Sequence, residues 1–255
     1  SNEYIQRTLS GEDPELYPNV DWFDALYRDH GKVRRANVNV SGGSDFIRYY
    51  GAVSYFDETG LLKTAQLQNY NTDLRFRRFN ITSNINMNIT KSTKLDLGIR
   101  GFFTNNNRPA IETQDIFGSA MTTPSTEFPL EYTGGFVPGR SANGGFRNPW
   151  ADLTRRGYAT EFNNSVFSNL RLTQDLSSII NGLSATTMFS FDASNGLTIT
   201  RSKREDTYAP DAAQPRKPDG SLNLQRTYTG SGNYLSYGRS NSGNRRFYSE
   251  TSLNF

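Results

Sequence analysis

The chain has 255 residues, with 28 Lys and Arg against 25 Asp and Glu, a net charge of +3 and no cysteine. So small and scattered a charge, without an RNA-recognition signature or a basic helix, argues against a nucleic-acid binder. The lack of Cys excludes a disulfide scaffold and a Cys-based zinc site. Hydrophobic residues make up 35%, below the roughly 45–50% of an ordinary globular domain, yet aromatics reach 13%. That pairing points to a layer of strands with one wet face rather than to disorder.

No apolar run approaches the ~20 residues of a spanning helix, and no secretory signal opens the chain. The opening Ser1-Asn2-Glu3-Tyr4 reads as the middle of a longer protein, and residues 1–32 read as loop. Eight strands are predicted after it. The first is 34–42, with Ala36, Val38 and Val40 on one face. The second is 46–56, with Ile47, Tyr49, Val53 and Tyr55 on one face. The third is about 73–89, with a phase slip near Arg77 and Arg78 that suggests a bulge. The fourth is 93–103, carrying Leu95, Leu97, Ile99 and Phe103. The fifth is about 160–173, with Phe162, Val166, Leu170 and Leu172. The sixth is 183–191, extending toward Thr200. The seventh, about 223–237, is weakly patterned. The eighth is about 245–255, with Phe247, Leu253 and Phe255 in phase. One short helix is predicted at 114–122, capped by Thr113 and stopped by Pro124.

The third strand is the most telling. Phe79, Ile81, Ile85, Met87 and Ile89 alternate with Asn80, Thr82, Asn84, Asn86 and Asn88, so one face is apolar and the other is a column of amides. A soluble sandwich buries such an apolar face; a membrane barrel turns it outward to lipid and its polar face to a wet lumen. The connections separate these readings. A tight Ser41-Gly42-Gly43-Ser44 turn, a short turn at 90–92 and a compact link at 175–182 alternate with long segments at 57–72, 104–159 and 201–222. Outer-membrane barrels alternate short and long connections in this way. The expected fold is therefore all-β: an antiparallel up-and-down meander, part of a transmembrane barrel, with long extracellular loops.

Nothing in the sequence passes for a catalytic site, and no enzyme activity or cofactor is expected. The Gly-rich runs lack the terminal Gly-Lys-Ser/Thr of a phosphate loop. His30, the only histidine, has no Ser or carboxylate pattern around it, and Glu12, Asp13, Glu15, Asp21 and Asp24 are a cluster without an opposed pair that sequence can identify. Eight strands ending on the aromatic Phe255 leave open a complete small barrel.

Tyr17-Pro18-Asn19-Val20-Asp21-Trp22-Phe23-Asp24, followed by Val38-Asn39-Val40-Ser41-Gly42-Gly43-Ser44, resembles the SusC/RagA family of TonB-dependent outer-membrane transporters. Tyr55-Phe56-Asp57-Glu58-Thr59-Gly60-Leu61-Leu62-Lys63, the 115–124 run and Asn148-Pro149-Trp150 support the resemblance, which covers about 4–200. It implies that residues 1–255 are about eight strands of a larger plugged barrel of 22, in the cell outer membrane, without the plug and the remaining strands. It further implies import of glycan fragments or peptides, energy supplied by TonB through the missing plug region, and a SusD-like surface lipoprotein as lid. Within the 104–159 loop, Tyr132, Phe136, Phe146 and Trp150 are the candidates for contact with ligand or partner, because aromatic rings offer flat apolar surfaces. The alternatives are a soluble all-β carbohydrate-binding module and the complete eight-stranded barrel.

Overall fold

The computed structural model describes residues 2–64, 70–140 and 147–255. Its main element is a seven-stranded sheet. In chain order the strands are β1 (Lys32–Gly43), β2 (Ile47–Thr59), β3 (Arg75–Asn88), β4 (Thr93–Pro109), β6 (Gly157–Asp175), β7 (Ser184–Ser202) and β10 (Ser236–Asn254), each paired antiparallel with the next. Between β4 and β6 falls β5 (Val137–Pro138). Between β7 and β10 fall β8 (Thr207–Pro210) and β9 (Leu224–Tyr228), and these three short strands make a separate sheet. Four helices stand outside both sheets among the described residues: α1 (Asn2–Ser10), α2 (Trp22–Leu26), α3 (Thr113–Thr122) and α4 (Pro149–Arg155).

The meander has seven strands rather than the eight expected. The predicted seventh strand is not in it: Leu224–Tyr228 pairs with β8, and Ser236 and Tyr237 already belong to the last strand, opposite Ser202 and Arg201. With that correction the alternation of connections becomes strict, the three short links facing one end and the three long ones the other. The 104–159 connection narrows to 110–156, because β4 and β6 run further toward the long-loop end than their apolar residues do. β1 and β10 lie at opposite edges of the sheet with no ladder between them, so the small closed barrel is not formed. No bulge occurs at Arg77 or Arg78, whose register against Asp57 and Phe56 is continuous. The slip is chemical. Arg75 and Arg77 continue the face of Ile81 and Phe79 after its apolar part has ended.

The turns follow from local chemistry. At the β1–β2 link the Ser44 amide donates to the Ile47 carbonyl (2.6 Å), while the Ser44 hydroxyl accepts from the Phe46 and Ile47 amides (3.3 and 3.4 Å). A Cβ on Gly42 would stand 2.6 Å from the Tyr49 hydroxyl, and one on Gly43 would stand 2.5 Å from the Ile47 carbonyl. The backbone facing Gly43 cannot give way, so only glycine fits there, whereas at Gly42 the exposed Tyr49 ring can shift aside.

The registers place the expected apolar residues on one continuous face. Val38, Val53, Ile81, Gly101, Val166 and Ala193 form one cross-strand row, and Tyr49, Ile85, Leu97, Leu170 and Phe189 another. No second sheet packs on them among the described residues: Val38 is 73% exposed, Phe189 55% and Ile81 42%. A soluble sandwich would bury these rows, so that expectation fails. The dry core lies instead among the long connections, where Trp22, Leu26, Leu62, Ile111, Ile116, Phe128 and Leu153 pack together.

Candidate functional site

The long connections and the N-terminal segment fold into a cap at one end of the sheet. Each piece is set by its own sequence. Asp21 caps α2, its carboxylate accepting from the Phe23 and Asp24 amides at 2.9 and 3.0 Å. Trp22 then drops into the core and donates its indole N–H to the Pro124 carbonyl (3.3 Å). Asn148 caps α4 through the Ala151 amide (3.2 Å), and Pro149 stands in the first turn, where its missing N–H costs nothing. The cap of α3 is Glu112, without a side-chain hydrogen bond; Thr113 is the first helical residue, not the cap. Of the motifs that carried the resemblance, Asp21-Trp22 and Asn148-Pro149-Trp150 cap and anchor this core, while Val38–Ser44 makes the strand and turn at the other end of the sheet.

Ion pairs tie the segments together. Arg216, in the β7–β10 connection, donates to both Asp13 carboxylate oxygens (2.8 and 2.5 Å) and to Glu15 (3.3 Å). Glu15 in turn accepts the Thr133 amide (2.7 Å). The Arg216 hydrogen bond holds the Asp13 carboxyl below the usual carboxylate range. Arg155 donates to Glu131 (2.7 Å) and to the Gly135 carbonyl (3.2 Å). Two loops meet in the small sheet, where the Thr227 hydroxyl donates to the Gly139 carbonyl (2.6 Å).

The four aromatic candidates separate. Tyr132 is buried, and burial, with Glu15 nearby, pushes its hydroxyl up to about 12. Trp150 packs against the core. Phe136 is 41% exposed and meets Tyr208 edge-on at 4.9 Å. Both rings line a cleft of about 420 Å³ with Arg155, Asp206 and the Gly134-Gly135 backbone. Phe146 lies outside the described residues. Tyr208 escaped the sequence reading because its surroundings look like plain loop; its only signal was an aromatic in a long polar connection.

The second face of the large sheet is the amide face. Asn80 donates to the Ser54 hydroxyl and accepts from Arg78, both at 2.8 Å, and Asn86 donates to Asp96 at 2.5 Å. Arg78 lies over Phe102 at 4.6 Å, and Arg35 over Phe56 at 5.1 Å. This is a ladder of donors and acceptors suited to a wet surface. Among the described residues there is no cluster of His, Cys, Asp and Glu that could hold a metal ion.

An open antiparallel meander with one uncovered apolar face, one hydrogen-bonding face and all its long connections at one end is an arc of a transmembrane β-barrel. The comparisons specify which kind. An 88-residue stretch is 35% identical to TonB-dependent receptor P26 of Formosa agariphila, covering 34% of this chain and 8% of that protein. A 137-residue stretch is 28% identical to TonB-dependent receptor SusC of Bacteroides thetaiotaomicron, covering 51% of this chain and 13% of that protein. The fold superposes on the RagAB peptide importer in its closed-closed and open-open states, each with a TM-score of 0.53, at 14% and 16% identity. Each superposition covers 96% of this chain and 33% of that one. No protein-family profile matches. Over these stretches the sequence is similar to TonB-dependent receptors, SusC among them, the fold is like that of the RagAB chains, and the chain spans about one third of the length of the chains it superposes on.

Proposed function

We propose that the chain is part of the barrel wall and extracellular cap of an outer-membrane nutrient importer. The observation that carries this reading is the uncovered apolar face running through six neighbouring strands with an amide face behind it. In the outer membrane the apolar face meets lipid and the amide face lines the passage. β6, β7 and β10 have 19 residues each, about twice the ~9–11 that cross a bilayer, so their upper halves stand above the membrane and carry the cap. The cargo is a glycan fragment or a peptide. Import draws on TonB through a plug, and a SusD-like lipoprotein covers the cap. Of the aromatic positions, Phe136 touches the cargo or the lid directly, and Tyr132 and Trp150 hold the loop that presents it; Phe146 belongs to the same loop.

The test is uptake by cells expressing the parent transporter, with and without TonB, together with recovery of its partners from the outer membrane. The reading predicts nutrient-dependent growth that is lost without TonB and a surface lipoprotein that copurifies. Growth independent of TonB, or recovery of the chain from the periplasm, would contradict it.

A further inference from the structure

Toward the cap, the apolar face gives way to charge within a single row. Ala36, Tyr55 and Phe79 stand side by side across β1, β2 and β3. Two residues further on, about 7 Å, the same face carries Arg34, Asp57 and Arg77, and then Lys32, Thr59 and Arg75. Asp57 is almost fully buried and accepts two hydrogen bonds from Arg75 (2.8 and 2.9 Å), with Arg77 at 3.7 Å.

The loop before β1 overhangs this row and encloses a cleft of about 650 Å³. Every strand residue lining it, from Lys32 and Arg34 to Thr59 and Arg75, lies on the apolar face rather than the amide face. The lining holds five cations (Arg28, Lys32, Arg34, Lys63 and Arg75) against three carboxylates, Asp24, Asp29 and Asp57. Arg28 is engaged by Asp73 (2.9 Å), Lys63 lies 3.8 Å from Asp24, and Arg75 is engaged by Asp57. Lys32 and Arg34 have no ion pair within 4 Å among the described residues, although the Arg75 hydrogen bond, with the Arg34 charge helping, holds the Asp57 carboxyl, the cross-strand neighbour of Arg34, below its ordinary value. Tyr27 also lines the cleft.

We propose that this cleft seats the phosphorylated sugar headgroup of an outer-leaflet glycolipid. The inference rests on the membrane reading above and adds to it a specific lipid site. Position argues for a lipid: the cleft opens on the face that meets acyl chains, one row above their level. Chemistry argues for phosphate. Arg34 is a planar guanidinium able to grip phosphate oxygens in pairs, and Lys32 adds a point charge. Basic pockets at the membrane edge hold lipid headgroups by this combination.

The experiment uses the parent transporter in phosphatidylcholine nanodiscs doped with lipid A or with dephosphorylated lipid A, and mass spectrometry of the lipid that stays bound after mild detergent extraction. The wild type is expected to retain lipid A in preference to the dephosphorylated form. Lys32→Gln with Arg34→Gln should lower that retention about twenty-fivefold, near fivefold per cation, while Lys91→Gln at a short turn changes nothing. Equal retention of the two lipids by the wild type, or unchanged retention by the double variant, would overturn the proposal. So would displacement of lipid A by inorganic phosphate, which would mark a site for free anions. Failure of the membrane reading looks different: the wild type would then enter neither kind of nanodisc, and both ideas would fall.

Discussion

The sheet and the cap handle apolar residues in opposite ways. In the cap, Leu26, Ile116 and Leu153 are completely buried, in a core gathered from α2, α3 and α4. In the sheet, Val38, Val53, Phe79 and Phe189 are all at least 46% exposed. On the reading proposed above, one chain is built for two solvents: its helical segments fold as water dictates, and its strands present their greasy side to hydrocarbon. Neither region substitutes for the other. Among the described residues the sheet has no dry core of its own, and the buried cluster is in the cap.

The comparison can be broken from the cap side first. Leu153→Ala removes a fully buried side chain and should cost about 2–5 kcal/mol, read as early loss of near-ultraviolet dichroism while the strand signal persists. From the sheet side, Ile81→Arg puts a charge where lipid is expected and should cost about 2–4 kcal/mol. It should abolish the heat-modifiable band of the folded barrel on gels. Asn80→Arg, one residue away on the other face, should stay within about 1 kcal/mol. Equal penalties at the two positions would remove the distinction between the faces.

A smaller effect sharpens the cap. Arg216→Ala leaves Asp13 and Glu15 without their shared cation. Because the pair is partly solvated, the cost should be about 0.5–1 kcal/mol. The folded Asp13 carboxyl titrates below its unfolded value near 3.9. Its contribution is therefore present above about pH 4 and is lost as the pH falls through the folded value. Wild type and Arg216→Ala should converge in thermal stability in that acid range and differ above it. The smallest effect concerns Tyr132. Burial holds its hydroxyl at about 12, so its stabilising preference is present below pH ~10 and fades as the pH rises toward that value. Tyr132→Phe should leave tyrosinate absorbance at pH ~10.5 unchanged, since Tyr132 has not ionised there.

The legibility of the sequence divides along the same line. Within the membrane band, period two and tight turns are the only solutions, because unsatisfied backbone is intolerable in lipid. Residues 79–89 and 93–103 announce themselves for that reason. Above the band both faces are wet and the signal vanishes. Arg239, Asn241, Gly243 and Arg245 continue the outward face of β10 without one apolar side chain, so the strand reads as starting at 245 rather than at Ser236. The faint alternation at 223–237 belongs to a loop hairpin, whose partner β8 no periodicity could name. The cap helices are also short. α2 has five residues, too few for an amphipathic repeat, and only the Asp21 and Asn148 caps mark where such helices begin. Phe136 was legible as a loop aromatic, but its pairing with Tyr208 required the β7–β10 connection to fold back over it.

The central claim is that Ile81 faces lipid while Asn80 faces water. The chain has no native cysteine, so in a transporter whose other segments are cleared of cysteine, Ile81→Cys and Asn80→Cys can each carry a single environment-sensitive fluorophore after reconstitution into vesicles. Spin-labelled lipids should quench the probe at 81 and leave that at 80 bright, and aqueous iodide should do the reverse. Iodide quenching at both positions, or shielding of position 81 from both quenchers as in a dry protein core, would contradict the account.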